Sequence, residues 1–461
     1  MAVIPVLTDK LKKQILTDIE TGFSDSDTLY YAAIGRISDW NDSDVAPQPL
    51  NSTRDARNAR LSVQSLKNIT DLTFAVPRVN WVSGTIYEAY DDGREGYPTT
   101  GRNFYAMNSN QEIYICLQKG LTDANPPQEK ASTVQPTGNT DGTPFRTSDG
   151  YVWKFLYSIG ALRASKFVSA GYLPVRYVAS TDSDSPAEDI QQEIVQNNAV
   201  VGQITGYAIT SGGSGYTSAP SVTVEGNGTN AAATATIAGG QLVKVEVKED
   251  SAGNSGNSYY GNSYDYAKVT VTGGGGDSAE VRAILAPENG LGSDPRVDLK
   301  SSALMFNTKP DGTEEGDFIL GNEIFRQVLL FKDPYGYDSA GGDGAKFTAE
   351  TGRALKKLVF SSASLSFNQK DTIEGVTSGA KAIVDEVDSD TVWYHQTEST
   401  GFKSFQSEVV QQVDGDATGS VSSTANGDVD PIKGELLYID NRAAVTRSAD
   451  QEEDIKIVIQ I

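Results

Sequence analysis

A single cysteine, Cys116, and a single histidine, His395, serve a chain of 461 residues. One cysteine excludes an intrachain disulfide and every cysteine-rich zinc site. Its setting, Ile113-Tyr114-Ile115-Cys116-Leu117, reads as a buried strand, which makes the thiol a small core residue. One histidine means that any Ser-His-Asp triad or histidine metal cluster must run through His395, which reads as a surface residue at the end of a strand. No G-x-S-x-G elbow and no Walker A loop occurs. Long apolar runs are also missing, and none approaches the ~18 residues that span a bilayer. Met1–Leu7 lacks a basic run followed by an apolar core, so no signal peptide is expected. Bases are outnumbered, 38 Lys and Arg against 61 Asp and Glu, for a net charge of −23. So acidic a surface repels phosphate, and neither nucleic acid nor an anionic membrane is an expected partner.

What is present is a globular composition, 38% hydrophobic with 45 glycines. Tyrosine outnumbers phenylalanine, a mix that favours short strands joined by tight turns. Leu7, Leu11, Ile15 and Ile19 predict a first helix ending at Gly22. A strand follows over Thr28–Ile34. Ser52 and Thr53 offer an N-cap, and Ala56, Ala59, Val63, Leu66 and Ile69 predict a second helix toward Leu72. Strands are expected at Glu112–Leu117, Tyr151–Ile159 and Val175–Ala179. Asp182-Ser183-Asp184-Ser185-Pro186 reads as an acidic linker. Between Val200 and Leu285 short alternating strands repeat weakly, with Pro220–Val224 echoed at Val269–Val271. Strands Arg326–Phe331 and Leu355–Phe360 precede a second, acidic β unit that opens near Phe367. Thr418–Asp430 reads as a polar exit loop, Glu435–Ile439 as a strand, and Asp440-Asn441-Arg442 as a turn. The alternation Ile455, Ile457, Ile459, Ile461 predicts a terminal strand that must pair. The fold class expected is mainly β with a few helices, an α+β core. That core is discontinuous (1–183, 291–363 and 433–461) and carries two inserted small β domains at 198–290 and 364–432.

Candidate chemistry is sparse. Gly226-Asn227-Gly228-Thr229-Asn230-Ala231 matches a relaxed dinucleotide fingerprint, but Ala231–Ile237 alternates as a strand where the fingerprint needs a helix. Asp414-Gly415-Asp416 opens like a calcium loop, yet the twelfth position is Ala425. A glycosidase would need two carboxylates that the sequence does not single out. Tyr207, Tyr216, Tyr259, Tyr260, Tyr264 and Tyr266 suit either packing in a small sandwich or contact with sugars and proteins. No catalytic residue, cofactor or metal is expected.

Outside the two insertions the chain resembles the baseplate wedge subunits of T4-like contractile phage tails, the family of the gene eight product. Gly35-Arg36 with Trp40, Pro47 and Pro49 carries the first part of the likeness. Ala75-Val76-Pro77-Arg78 with Trp81 carries the next, and Asp149-Gly150-Tyr151-Val152-Trp153-Lys154-Phe155-Leu156 is the strongest segment. Phe325-Arg326-Gln327 follows, then Gly434–Arg442 with Tyr438, Asn441 and Arg442, and Asp450–Ile455. The likeness implies a non-enzymatic virion protein, assembled in the host cytoplasm. It implies a homodimer that joins other wedge proteins around a central hub and takes part in rearrangement of the baseplate on host contact. The insertions have no counterpart in that likeness, and a glycan or protein ligand for them is left open. The alternative reading is a receptor- or glycan-binding tail adhesin.

Overall fold

The computed structural model describes residues 8–41, 44–91, 93, 101–122, 124–249, 259–310, 323–338, 342–362, 364–447 and 454–461. Met1–Leu7 and Asp450–Glu453, used above, lie outside them. The protein is mainly β, with 43% of residues in strands and 12% in helix. The chain divides into two compact units. One comprises Met1–Leu16, Thr73–Leu304 and Ile459–Ile461, and the other Thr17–Leu72 and Met305–Val458.

In the second unit a five-stranded sheet has the order Thr351–Arg353, Val63–Asn68, Tyr30–Gly35, Glu323–Lys332, Glu435–Arg447. Its central strand, Tyr-Tyr-Ala-Ala-Ile-Gly, is buried along its whole length. One face packs Tyr31 and Ala33 against Leu66, Leu329 and Phe331. On the other, Tyr30 meets Phe23 and Phe306 at ring separations of 5.7 and 5.5 Å. A strand covered on both faces reads as a continuous apolar run, as this one does.

The helix predicted from Ser52 to Leu72 stops early. Ser52 does cap it, accepting from the Asp55 amide at 3.1 Å, but the helix ends at Leu61 and Val63–Asn68 is a strand. Pairing wins over propensity here: Ala33↔Leu66 and Ile34↔Ser65 are in register on the central strand, and a neighbouring strand edge supplies hydrogen bonds that a lone helix extension could not match. The turn expected at Asp440-Asn441-Arg442 is also absent, because one strand runs from Glu435 to Arg447. It carries an irregularity instead. Phe325 faces Val445 and Gln327 faces Asn441, so Arg442, Ala443 and Ala444 oppose Arg326 alone. A bulge does the bending that a turn was expected to do.

Thr418–Ala425 is a strand rather than an exit loop. It closes a six-stranded barrel with Lys356–Phe360, Thr391–His395, Lys381–Asp388, Thr372–Gly375 and Val409–Gln412. Phe360, Ile373, Val384, Val392, Tyr394 and Val410 fill it. The C-terminal strand Ile455–Gln460 is hydrogen-bonded to Ala303–Thr308, as an alternating terminal strand requires.

The first unit holds a four-stranded sheet ordered Tyr105–Met107, Glu112–Gln118, Val152–Ser158, Phe145–Arg146. Cys116 is buried in it, and burial pushes its thiol above the usual range. The strand expected at Val175–Ala179 lies earlier, at Tyr172–Val175, paired with Phe74–Pro77. Ala187–Asn197, directly after the acidic linker, is a helix that the sequence signals did not reveal. In the 204–285 stretch, Ile204–Ser214 pairs with Asp277–Leu285 and Ser221–Gly226 with Ala267–Thr272. The two halves of the weak repeat thus zip together, Val222↔Val271 and Val224↔Val269. Tyr216, Tyr260 and Tyr264 are buried by this packing, while Tyr266 is 65% exposed.

The barrel interior supplies a direct test. Ile373 is fully buried, and Ile373→Ala is expected to cost about 2–5 kcal/mol through lost transfer energy and the cavity left behind. Denaturant unfolding of the full chain followed by barrel fluorescence measures this. An unmoved midpoint would show that the barrel core is not packed as described.

Candidate functional site

Several of the positions that carry the sequence likeness gather into a bonded cluster in each unit, while Pro77, Arg78 and Tyr438 make separate contacts. In the second unit the organiser is Arg326, only 3% exposed in the middle of a sheet strand. Its Nε donates to Asp44 Oδ1 at 2.9 Å, and its other nitrogens donate to Ile37 O at 2.5 Å and to Asp39. A buried cation is tolerable only with such partners. Arg36 stacks on the Trp40 ring at 4.0 Å, and Trp40 Nε1 donates to Arg442 O at 2.6 Å. That carbonyl belongs to the bulge opposite Arg326, so Trp40 satisfies a group displaced from the ladder. Gln327 donates to Asn441 Oδ1 at 2.8 Å, and Asn441 donates to Pro47 O at 2.9 Å. Gly35 is needed because a Cβ there would sit 2.4 Å from Ser62 O. Phe325 is buried one residue before Arg326, and Tyr438 stands opposite Leu330.

In the first unit the organiser is Asp149. Oδ2 accepts from Ser132 Oγ at 3.1 Å and from the Thr133 and Val134 amides at 2.8 and 2.9 Å; Oδ1 accepts from Thr147 Oγ1 at 2.5 Å. Burial pushes this carboxyl up, but the bonds from Thr147, Val134, Thr133 and Ser132 outweigh it and hold the group below the usual carboxylate range. Trp81 Nε1 donates to Ser132 Oγ at 3.1 Å. Gly150 turns the chain at φ +93°. Tyr151 stacks on Trp153 at 5.8 Å, and Tyr87 meets Trp153 edge-on at 5.2 Å. Pro77 O accepts from Tyr105 Oη at 2.6 Å, while Arg78 Nη1 donates to Ser169 O at 3.0 Å. Next to Trp153, Lys154 is buried with its ammonium on Gly142 O at 2.5 Å, and burial pushes it down to about 8.

His395 is not on the surface. It is 5% exposed, and its Nδ1 lies 2.6 Å from Asp385 Oδ2. The register shifts at Asp385, between Val384 and Glu386, but Val384, Val392 and Tyr394 still fill the barrel. Asp385 and His395 lie on its outer face, which is covered there, with Gln64 of the strand Val63–Asn68 at 3.5 Å from Asp385 Oδ1. Among the described residues no hydroxyl or thiol is hydrogen-bonded to His395, so the pair forms two members of a triad without a nucleophile. Nearby, Arg353 bonds Glu386 at 3.0 Å and lies over the Trp393 ring at 4.5 Å. Burial pushes the Glu386 carboxyl up to about 7 against the pull of Arg353, and Asp388 and Asp385 add to the rise.

The remaining sequence candidates resolve simply. Gly226 to Ala231 leads into strand Thr229–Ala231, with no helix behind it. Asp414 and Asp416 stand in a turn, and no group of three metal-capable side chains occurs among the described residues. Sequence reasoning missed Asp39, Asp44 and Asp149 as the anionic partners of the likeness positions. Only Asp149 had a signal, since it opens the strongest segment. No protein-family model and no curated protein sequence matches the chain.

Two outcomes follow from these charges. Arg326 is buried while Asp39 and Asp44 are half exposed, so removing both acids strands a buried cation, whereas removing the arginine leaves acids that water can solvate. The double variant Asp39→Ala/Asp44→Ala is therefore expected to lower the unfolding midpoint more than Arg326→Met, and the reverse order would show a hydrated guanidinium. For Glu386, a folded value of about 7 against 4.5 means that the folded state holds the proton more tightly. Its contribution is complete below 4.5 and is lost as pH rises through 7, a swing of about 3 kcal/mol. Glu386→Gln lacks that dependence, so unfolding curves of the two proteins should converge or cross in the variant's favour between pH 4 and 8. A constant offset across that window would refute it.

Proposed function

We propose that this chain is a structural, non-enzymatic subunit of the baseplate wedge of a contractile phage tail. It acts as a homodimer within the virion, holding neighbouring wedge proteins in register and taking part in their rearrangement on host contact. The observation that carries this reading is the convergence of the likeness positions. They are widely separated in sequence, yet Gly35, Arg36, Trp40, Arg326, Gln327, Asn441 and Arg442 fasten one loop and one bulged edge strand to a sheet. Trp81, Gly150, Tyr151 and Trp153 fasten another loop through Asp149. Positions spent on fixing loops to sheets give rigid surfaces, and rigid surfaces are what a scaffold presents to neighbours. The bulged strand Glu435–Arg447 stands at the edge of its sheet, where bulges and charges such as Asp440 and Arg442 discourage indiscriminate pairing and leave contact to a specific partner.

The test is light scattering of the purified chain together with subunit-resolution imaging of the intact tail. A dimer in solution, and density for both units in the baseplate, are expected. A monomer, together with assembled tails that lack the chain, would overturn the assignment.

A further inference from the structure

In the second unit the barrel and the five-stranded sheet have separate apolar cores. Phe360, Ile373, Val384 and Val410 belong to one, and Tyr31, Leu66, Leu329 and Phe331 to the other. The bonds that join the two bodies are polar. Gln64 Nε2, from the sheet, lies 3.5 Å from Asp385 Oδ1 on the outer face of the barrel. Arg353 Nη1, at the end of the edge strand Thr351–Arg353, donates to Glu386 Oε2 at 3.0 Å. Lys370 reaches Asp39 at 3.2 Å, and Arg54 reaches Glu398 at 3.0 Å. Bodies joined through polar seams, each with its own core, move relative to one another more readily than bodies that share a core.

The centre of this seam does not balance its own charge. Asp385 and Glu386 are neighbours in sequence, and their side chains are only 0% and 11% exposed. Arg353 sets one positive charge against these two. The His395 imidazole, 2.6 Å from Asp385 Oδ2, is the remaining titratable group in contact. The nearby lysines are engaged elsewhere: Lys67 of the strand Val63–Asn68 meets Glu350, Lys381 meets Glu374 and Lys370 meets Asp39. Gln64 and Gln369, which bond Asp385, are neutral, and Asp388 on the same strand adds negative charge. With a neutral imidazole the centre therefore holds one negative charge too many, in a place where burial makes it costly. One added proton, on Glu386 or on His395, removes the excess.

We propose that this seam is a proton-operated latch, which seats the barrel on the sheet when its centre takes up one proton and parts when that proton leaves. Relief of the excess charge requires only that water reach Asp385 and Glu386. Parting the seam admits water at the loss of a few polar contacts, whereas unfolding either body would expose an apolar core. On His395 the proton turns the contact with Asp385 into an ion pair; on Glu386 it leaves Arg353 to balance Asp385. Burial pushes the Glu386 carboxyl up to about 7 against the pull of Arg353, and histidine is the side chain that ordinarily changes charge between pH 5 and 8. A carboxyl raised on folding stabilises the seated state below its unfolded value of 4.5, and that contribution is lost as pH rises through 7. The latch is thus closed in mild acid and loosened above about pH 7. This inference rests on the second unit alone and stands whether or not the chain is a wedge subunit.

The chain has one histidine, and it sits in the seam, so its accessibility reports the latch directly. The full chain is labelled with diethyl pyrocarbonate, and the rate at His395, followed by peptide mass, is divided by that of N-acetylhistidine at the same pH. This ratio is expected to be low at pH 6 and to rise ~10-fold by pH 8.5, the factor carried by one unit of proton affinity. Amide exchange in the barrel strand Val409–Gln412 should stay slow throughout. Glu386→Gln removes the surplus carboxylate, so its ratio should stay low across the range. A ratio in the unsubstituted chain that does not change with pH overturns the proposal, whatever the variant does. So does a rise accompanied by loss of protection at Val409–Gln412, which is unfolding of the barrel, or a rise that Glu386→Gln leaves intact.

Discussion

A guanidinium buried in the middle of a sheet strand is the constraint around which the second unit is arranged. Arg326 occupies a position where an apolar side chain would cost nothing, and its charge has to be met on the spot. Meeting it requires Asp39, Asp44 and the Ile37 carbonyl to come to the strand, so the chain after Gly35 cannot wander. Arg36 enters that loop at φ 61°, a conformation that L residues adopt only under external compulsion. The Trp40 ring supplies part of it, lying 4.0 Å from the Arg36 guanidinium. On the other side of Arg326, the partner strand bulges by residues 442–444, and the released Arg442 carbonyl is taken up by the same Trp40. One buried charge thus fixes a loop conformation and a strand irregularity together.

The first unit uses the opposite sign for the same end. Asp149 gathers two backbone amides and two hydroxyls, and the loop Ser132–Val134 is held by this carboxylate in addition to a single antiparallel bridge from Ser132 to Thr85. Trp81 joins through Ser132, and the Tyr87, Tyr151 and Trp153 rings pack alongside. Because the acid is ionised when fully bonded, this knot is strongest above the ordinary carboxylate range and slackens as pH falls through its depressed value. Both units therefore hold their irregular segments by charge-assisted bonds to one buried charged group, Arg326 or Asp149, whose stranding would be most costly.

How much of this was legible follows from which forces act locally. The strands at Tyr30–Gly35, Glu112–Gln118, Val152–Ser158 and Ile455–Gln460 were readable because burial writes itself into apolar spacing. Cys116 was readable for the same reason. Val63–Asn68 was not, because Val63, Leu66 and Ile69 fall at a three-residue spacing that a helix also satisfies. Only pairing with the central strand, which also buries Gln64, Ser65 and Lys67, decides between them. His395 was misplaced because the outer face of its barrel strand, which alternation would leave to solvent, is covered by a distant part of the chain that includes Gln64. The cluster around Arg326 was half legible: the likeness positions marked one set of partners, but the acids that neutralise the arginine lie in a loop whose composition looks merely solvated. Pairing across hundreds of residues leaves no local trace.

The same reasoning separates two buried polar atoms that lack partners. Trp153 Nε1 and Tyr207 Oη both stand without a hydrogen bond, yet they do not mean the same thing. Trp153 is fully buried between the rings of Tyr87 and Tyr151, 5.2 and 5.8 Å away. Aromatic contacts of that kind offset part of an indole's desolvation. Tyr207 instead packs against two small hydrophobic clusters, one with Ile204 and Tyr264 and one with Leu242 and Val245, and its hydroxyl is shut in by them. The cost of the first is a packing compromise inside a finished core. The cost of the second is a hydroxyl desolvated where a small β sandwich closes on itself, and among the described residues no ring stacks on it to offset the loss.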